Sequence, residues 1–247
     1  MLYLIGLGIS DEKDLSLRGF EILKAVDKIY AEFYTSSFSA TVDDIEKLLD
    51  RKITILSRED IEENLDETIL REAYKKNIAL LTPGDPMIAT THSALILSAR
   101  KSGILTRIIH SSSIYSSIAE TGLQIYKFGK TTTIPFPEKG YLPTSPYDVL
   151  KTNLDCEMHT LLLLDIRMTI DEATDILLKM EKDKREGIIK EDILCIGVAR
   201  LGSKDSVIKY GRLKDIHSYD FGKPPHALII PGKLHFMEEE FLDTFIL

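Results

Sequence analysis

The stretch IALLTPGDPMIATTHSAL, residues 78–95, opens as an apolar strand and closes in helix-like sequence, with TPGDP wedged between. Gly84 between Pro83 and Pro86 marks a turn whose backbone must take one particular shape. A strand, a tight turn and a helix in that order are the first two parts of a β-α-β unit, which places strands side by side in parallel.

Outward from this stretch the same alternation continues. LYLIGLG (2–8), KITIL (52–56) and TRIIHS (106–111) read as strands, and KIYAEFY (28–34) as another that overlaps the end of a helix. Ile22, Ala25, Val26, Ile29 and Tyr30 recur at helical spacing, and Val42, Ile45, Leu48 and Leu49 share one face of a short helix. SREDIEENLDETILREAYKKN reads as a single helix starting near Ser57, with Ile61, Leu65, Ile69, Leu70 and Ala73 inward. PMIATTHSALILSARKSG reads as the next helix. The near-continuous apolar runs of the strands fit a parallel sheet covered on both faces.

Past a helix around SIYSSIAETGL the texture changes, and four of the nine prolines fall within IPFPEKGYLPTSP. Ser145-Pro146 opens a helix, and another runs from about Ile170 to Lys182. HTLLLLDI (159–166), DILCIGVAR (192–200) and HALIIPG (226–232) read as strands. SVIKYGRLKDI (206–216) alternates apolar and polar residues, as a half-exposed edge or antiparallel strand does. The expectation is an α/β protein of two domains, residues 1–112 with a parallel sheet and residues 113–247 with a mixed sheet.

Composition narrows the function classes. A formal net charge of -8 over 247 residues argues against broad nucleic-acid binding, which needs a basic surface. Cys156 and Cys195 stand far apart with no CxxC, so both are expected to be buried thiols in a reducing compartment. MLYLIGLGIS has no basic leader and no small-residue cleavage site, and no apolar run approaches a membrane span. A cytoplasmic protein that crosses no membrane is expected.

Each motif has a plain reading beside a sharper one. GLG at 6–8 continues as GxGxxD, with Asp11 where a dinucleotide fingerprint has its third glycine, so a nicotinamide site is not expected. Asp85 fits a helix N-cap with Pro86 at the first helical position. It also stands at the carboxyl end of a parallel strand, where open α/β sheets bind ligands, and the two roles are compatible. The serines of HSSSIYSS (110–117) suit a cap and turn, or a ligand carboxylate or ribose. The six histidines are dispersed, without metal-ligand spacing. His226 opens an apolar strand after two prolines and is either a satisfied strand-end histidine or a cofactor contact. FMEEEFLD (236–243) reads as a solvated helix face.

LYLIGLG, AEFYTS (31–36), SRED (57–60), TPGDPMIATTH, SIYSSI, TGLQIYKFGKT, LPTSPYDV, TLLLLDI and PPHALIIPGKLH together resemble the archaeal-type diphthine synthases. That group lies within the tetrapyrrole-methylase-like, class III S-adenosylmethionine-dependent methyltransferases. The resemblance runs in order along nearly the whole chain. It implies two α/β domains with the cofactor in the cleft between them, and a homodimer. It implies successive N-methylation of the 3-amino-3-carboxypropyl group on a modified histidine of translation elongation factor 2. S-adenosylmethionine would be the methyl donor and S-adenosylhomocysteine the product.

By the same resemblance, the cofactor-contacting positions fall on Ile9, Asp85, Ile88, Ser113, Ile114, Leu164, Leu201 and His226. No residue of the pattern is marked as the proton acceptor. The chemistry needs neither a metal nor a covalent enzyme intermediate, since the sulfonium carries its own leaving group and alignment is the main task. Two other readings share the residues: a class III methyltransferase acting on a tetrapyrrole, and a non-catalytic protein that docks on translation factors.

Overall fold

In the computed structural model, residues 1–36, 38–64, 66–137 and 140–247 are described, and the side chains of residues 66 and 67 are not. Leu65, expected on an inward helix face, lies outside them, as do Glu138 and Lys139 of the proline-rich segment. The chain divides into two units, Met1–Ser117 and Ile118–Leu247.

The first unit is built on five parallel strands: β1 (Leu2–Gly6), β2 (Lys28–Ala31), β3 (Thr54–Ile55), β4 (Ile78–Thr82) and β5 (Thr106–Ile109). Their order across the sheet is β3-β2-β4-β1-β5. Alternation along the strands splits the core in two. Leu2, Leu4, Tyr30, Ile78 and Leu80 face one side, and Ile5, Ile29, Ala31, Ala79 and Leu81 the other. The second face is covered by α1 (Leu17–Ala25) and α2 (Val42–Leu49), through Leu23, Ile45 and Leu49. Segments α3 (Arg58–Glu62), α4 (Arg71–Ala73) and α5 (His92–Lys101) cover the first. A short helix, α6 (Ile114–Ser117), follows β5.

This order has a switch point. From β1 the chain crosses by α1 over one face toward β2, and from β4 it crosses by α5 over the other face toward β5. β1 and β4 are neighbours, so the loops leaving their carboxyl ends diverge and leave a crevice above the sheet edge.

Several expected elements are shorter or broken. Ser57 does cap a helix, with a capping box to Asp60, but that helix ends at Glu62. A π-helical turn over Asp66–Leu70 precedes α4. Ile69 and Leu70 at the end of that turn are both buried, as the single helix would also have had them. α1 stops at Ala25, leaving Ile29 and Tyr30 to β2, and Leu48 is exposed despite its helical spacing. β3 holds only Thr54–Ile55 of KITIL.

The second unit carries a mixed sheet, as expected. β6 (Thr132–Ile134) pairs in parallel with β7 (Thr160–Leu164), whereas β8 (Leu194–Ala199), β9 (Val207–Arg212) and β10 (His226–Ile230) join antiparallel, in the order β6-β7-β10-β8-β9. β9 lies at the edge, in keeping with its half-polar pattern. The run 206–216 is not strand throughout, because α9 (Leu213–Ser218) begins at Leu213 and buries it with Ile216. α7 (Ser145–Asp155) has Pro146 in its first turn, and α8 (Ile170–Lys184) starts with a Thr169–Glu172 capping box. One core joins Tyr147, Leu150, Leu162, Ile176, Leu177, Leu213 and Leu228.

Two further expectations are corrected here. Cys195 is buried, its thiol pushed up by burial, but Cys156 follows the end of α7 and is exposed. Glu238 in α10 (Phe236–Leu242) is not on a solvated face: it is fully buried. Its carboxylate accepts hydrogen bonds from Gln124 N and His235 N, pairs with Lys127, and faces His159 Nε2 at 3.1 Å. The other two glutamates, Glu239 and Glu240, are exposed as expected, together with Phe236, Met237 and Phe241.

Candidate functional site

The two loops at the switch point are stitched together. Gly8 N donates to Gly84 O at 3.2 Å and Gly84 N to Gly8 O at 2.7 Å, an antiparallel bridge above two parallel strands. Both glycines adopt positive φ, +91° at Gly8 and +68° at Gly84. A side chain at Gly8 would collide with Asp14, with a Cβ only 2.2 Å from that residue's Cβ. At Gly84 nothing stands within 4 Å of such an atom, so the turn presents open space. The GLG motif therefore serves close backbone approach between loops.

Asp85 is buried, at 6% exposure, and its carboxylate is the hub of this crevice. Oδ1 accepts from Met87 N at 2.9 Å; Oδ2 accepts from Ser111 N at 3.1 Å and meets His110 Nδ1 at 2.8 Å. The expected helix from Pro86 is absent: α5 starts at His92, after a turn closed by Ile88 N donating to Asp85 O. Asp85 is thus not a helix N-cap. Ala89 at φ +52° breaks any helical path, and the carboxylate ties the turn after β4 to the end of β5. The neighbouring loops close the rim, with Ile9 N donating to Ser112 Oγ and Ser10 N to Asp14 Oδ2.

Of the residues that the resemblance marks, the first unit brings Ile9, Asp85, Ile88, Ser113 and Ile114 to the carboxyl ends of β1, β4 and β5. Ile9, Ile88 and Ile114 are half-buried. Ser113 is buried; its backbone N–H donates to Ser116 Oγ, and its own hydroxyl has no hydrogen bond to the described residues.

The second unit gathers Leu164, Leu201 and His226 at one edge of its own sheet, because β10 runs antiparallel to both neighbours. Ala227 pairs with Leu163 and His226 with Ala199, so the start of β10 meets the ends of β7 and β8. Both ring nitrogens of His226 are buried without a hydrogen-bond partner among the described residues, and burial pushes its pKa down, keeping the ring neutral. Its ring packs against Phe221, which lies over Gly197. Arg200 holds the approach to this strand, donating to Phe221 O at 2.8 Å, to Lys223 O, and to Asp205.

Sequence reasoning missed several polar residues around these positions: the ring of His110, Arg200, and the buried pair Glu32 and His92. Glu32 and His92 offered a signal, each being an ionisable residue inside an otherwise apolar periodic segment.

The arrangement suits a ligand with both polar and apolar parts. In the first unit Ser113 Oγ and the open space at Gly84 are unfilled hydrogen-bonding or steric capacity beside the half-buried Ile9, Ile88 and Ile114; in the second unit the His226 ring is unfilled in its turn, at the strand ends where the half-buried Leu164 also lies. S-adenosylmethionine, with its adenosine, thioether and amino-acid portions, fits that mixture.

Comparison with known proteins gives the class. The model of the tetrapyrrole (corrin/porphyrin) methylases matches residues 1–217, and the chain belongs to that family. It is an S-adenosylmethionine-dependent methyltransferase. Within the family it is 51% identical to a diphthine synthase of Methanocaldococcus jannaschii, over 98% of this chain and 97% of that protein. It is 47% identical to the diphthine synthase of Methanosphaera stadtmanae, over 99% of this chain and 95% of that one. A crystal structure of diphthine synthase superposes with a TM-score of 0.92 at 38% identity, covering 99% of this chain and 95% of that chain.

Proposed function

We propose that the chain acts as a diphthine synthase. It transfers methyl groups from S-adenosylmethionine to the amine of a 3-amino-3-carboxypropyl group borne by a modified histidine of translation elongation factor 2. Successive transfers give the trimethylammonium product, diphthine. The observation that carries this reading is kinship along the whole chain, at 51% identity over 98% of its length, with a protein of that name.

Bound donor supplies an activated methyl group on a sulfonium that leaves as neutral thioether. The protein's own part is to hold and orient. Ile9, Ile88 and Leu164 would pack the adenosine and thioether, Asp85 and Ser113 would meet polar groups, and His226 would offer a neutral imidazole. We further propose that the protein works as a homodimer in the cytoplasm, binding neither membrane nor nucleic acid directly. Among the described residues no helix is long and apolar enough to cross a membrane.

Mass spectrometry tests the reading. Elongation factor 2 carrying the unmethylated precursor is incubated with this protein and S-adenosylmethionine, and mass gains in successive methyl steps are expected. An unchanged elongation factor, with methyl transfer to a precorrin instead, would move the protein to the tetrapyrrole branch of its family. No transfer to either would leave a docking protein.

A further inference from the structure

N-methylation of an amine releases a proton in every round, and only the unprotonated nitrogen can attack. The base that serves such a sequence must reach a substrate projecting from another protein and must shed its proton to solvent before the next round. In the first unit this requirement separates the two histidines near the crevice. His92 is fully buried at the start of α5, beside the equally buried Glu32. His110 stands at the end of β5 with 70% of its side chain exposed, while the carboxylate bound to its Nδ1 belongs to the buried Asp85.

The bonding around Asp85 assigns the proton on that ring. The carboxylate already accepts from two backbone amides, Met87 N and Ser111 N, so it acts as an acceptor and the histidine must donate. Nδ1 therefore carries the hydrogen in the neutral imidazole, leaving the lone pair on Nε2. A buried carboxylate that fixes tautomer and ring direction behind an accessible imidazole is the arrangement by which a histidine becomes a positioned base. Asp14 at this rim is engaged by Ser10 N and its backbone oxygen by Ser111 Oγ, and among the described residues the hydrogen-bond partner of the His110 ring is Asp85.

We propose that His110 accepts the proton of the reacting amine at Nε2, with Asp85 as the residue that orients it. This rests on the substrate being an amine, as argued above. As the amine nitrogen bonds to the methyl carbon, the carbon–sulfur bond breaks and its electron pair goes to sulfur. Before each attack, the third included, the ammonium form of the amine gives its N–H proton to His110 Nε2, which passes it to solvent, so that the nitrogen lone pair is free when the carbon–sulfur bond breaks.

The test uses the full chain, S-adenosylmethionine and elongation factor 2 bearing the unmethylated precursor. His110→Ala should bind S-adenosylhomocysteine by calorimetry within about threefold of wild type, while kcat falls by about a hundredfold or more, the scale of a positioned general base. The remaining rate should rise steadily with pH, and added imidazole should restore part of it, because an exposed site admits a small base. Nitrogen NMR of the neutral imidazole should show Nδ1–H in wild type and a shift toward Nε2–H in Asp85→Asn. If His110→Ala does not fold, His110→Gln carries the same comparison. A kcat within about threefold of wild type, a loss of S-adenosylhomocysteine affinity that parallels kcat, or an Nε2–H ring in wild type would overturn the proposal. Wild-type protein that transfers no methyl group at all would instead sink the diphthine synthase reading, and the tautomer measurement would stand apart from it.

Discussion

His92 Nε2 faces Glu32 Oε1 at 3.6 Å, with both side chains wholly buried where the first unit's core meets its strand ends. Glu32 follows β2, and its carboxylate accepts from Tyr34 N, Thr35 N and Thr35 Oγ1. His92 reaches Thr90 Oγ1 through Nδ1 at 2.7 Å and so anchors the far end of the turn that begins at Asp85. Burial raises the Glu32 pKa and lowers that of His92, and nearby burial holds the Tyr34 phenol up at about 12. A buried ionisable pair is a poor source of stability compared with apolar packing, so its place beneath the functional turn is notable.

Glu32 gives a pH prediction whose sign follows from that shift. Its folded pKa lies above the unfolded value, so ionising it costs folding free energy as pH rises through the interval between the two. Glu32→Gln keeps the shape and can accept from both backbone amides, yet never ionises. Its melting temperature relative to wild type should therefore increase from acidic to neutral buffer. A constant difference across that range in thermal unfolding would contradict the assignment.

Glu238 behaves oppositely. Burial alone would raise its pKa, but Lys127, Gln124 N, His235 N and His159 together outweigh that and draw it down to about 2. The stability it provides is present above the ordinary glutamate range and is lost as pH falls toward about 2. Glu238→Ala should cost roughly 3–5 kcal/mol at neutral pH, because it strands buried donors. Urea titrations of the two proteins at neutral and acidic pH should converge as the acid limit is approached.

Removing the Asp85 carboxylate orphans the amides of Met87 and Ser111 and frees His110. Asp85→Ala should lose roughly 2–4 kcal/mol, given about 1–3 kcal/mol for each buried group left unsatisfied. Calorimetry should also show weaker S-adenosylhomocysteine binding by the folded mutant. Unchanged affinity would remove Asp85 from the residues that bind the donor.

The paired glycines differ in what they tolerate. Gly8→Ala meets Asp14 and also needs an unfavourable φ, so it should lower the melting point and donor affinity together. A Cβ at Gly84 meets no atom, and asparagine accepts left-handed geometry, so Gly84→Asn should cost less than about 1 kcal/mol. Comparable losses in the two variants would show that the bridge depends on more than local sterics.

Much of this architecture is legible in the chain's periodicities. Apolar runs at 2–8, 78–83 and 106–111 mark β1, β4 and β5, and the Ser57 capping box marks a helix start. The helix over 57–77 could not be read as broken, since spacing alone does not signal a π-turn. Asp85 illustrates the limit most clearly: Asp followed by Pro is what a helix start looks like locally, but its partners Ser111 and His110 come from 26 and 25 residues away. Glu238 has the same cause, because its partner Lys127 lies 111 residues off and an EEE run shows only polarity. Of the proposed ligand contacts, residue identity and family resemblance supplied the positions; the hydrogen bonds that orient them belong to tertiary structure.

The two clusters that sandwich the first sheet contain none of Ile9, Asp85, Ile88, Ser113 or Ile114. Folding and ligand choice thus draw on separate sets of residues in this half of the molecule, so drift in one need not disturb the other. Such independence offers a route by which a single lineage comes to include enzymes for corrins and porphyrins as well as relatives named for diphthine: rewrite a handful of loop positions and leave the inherited scaffold alone.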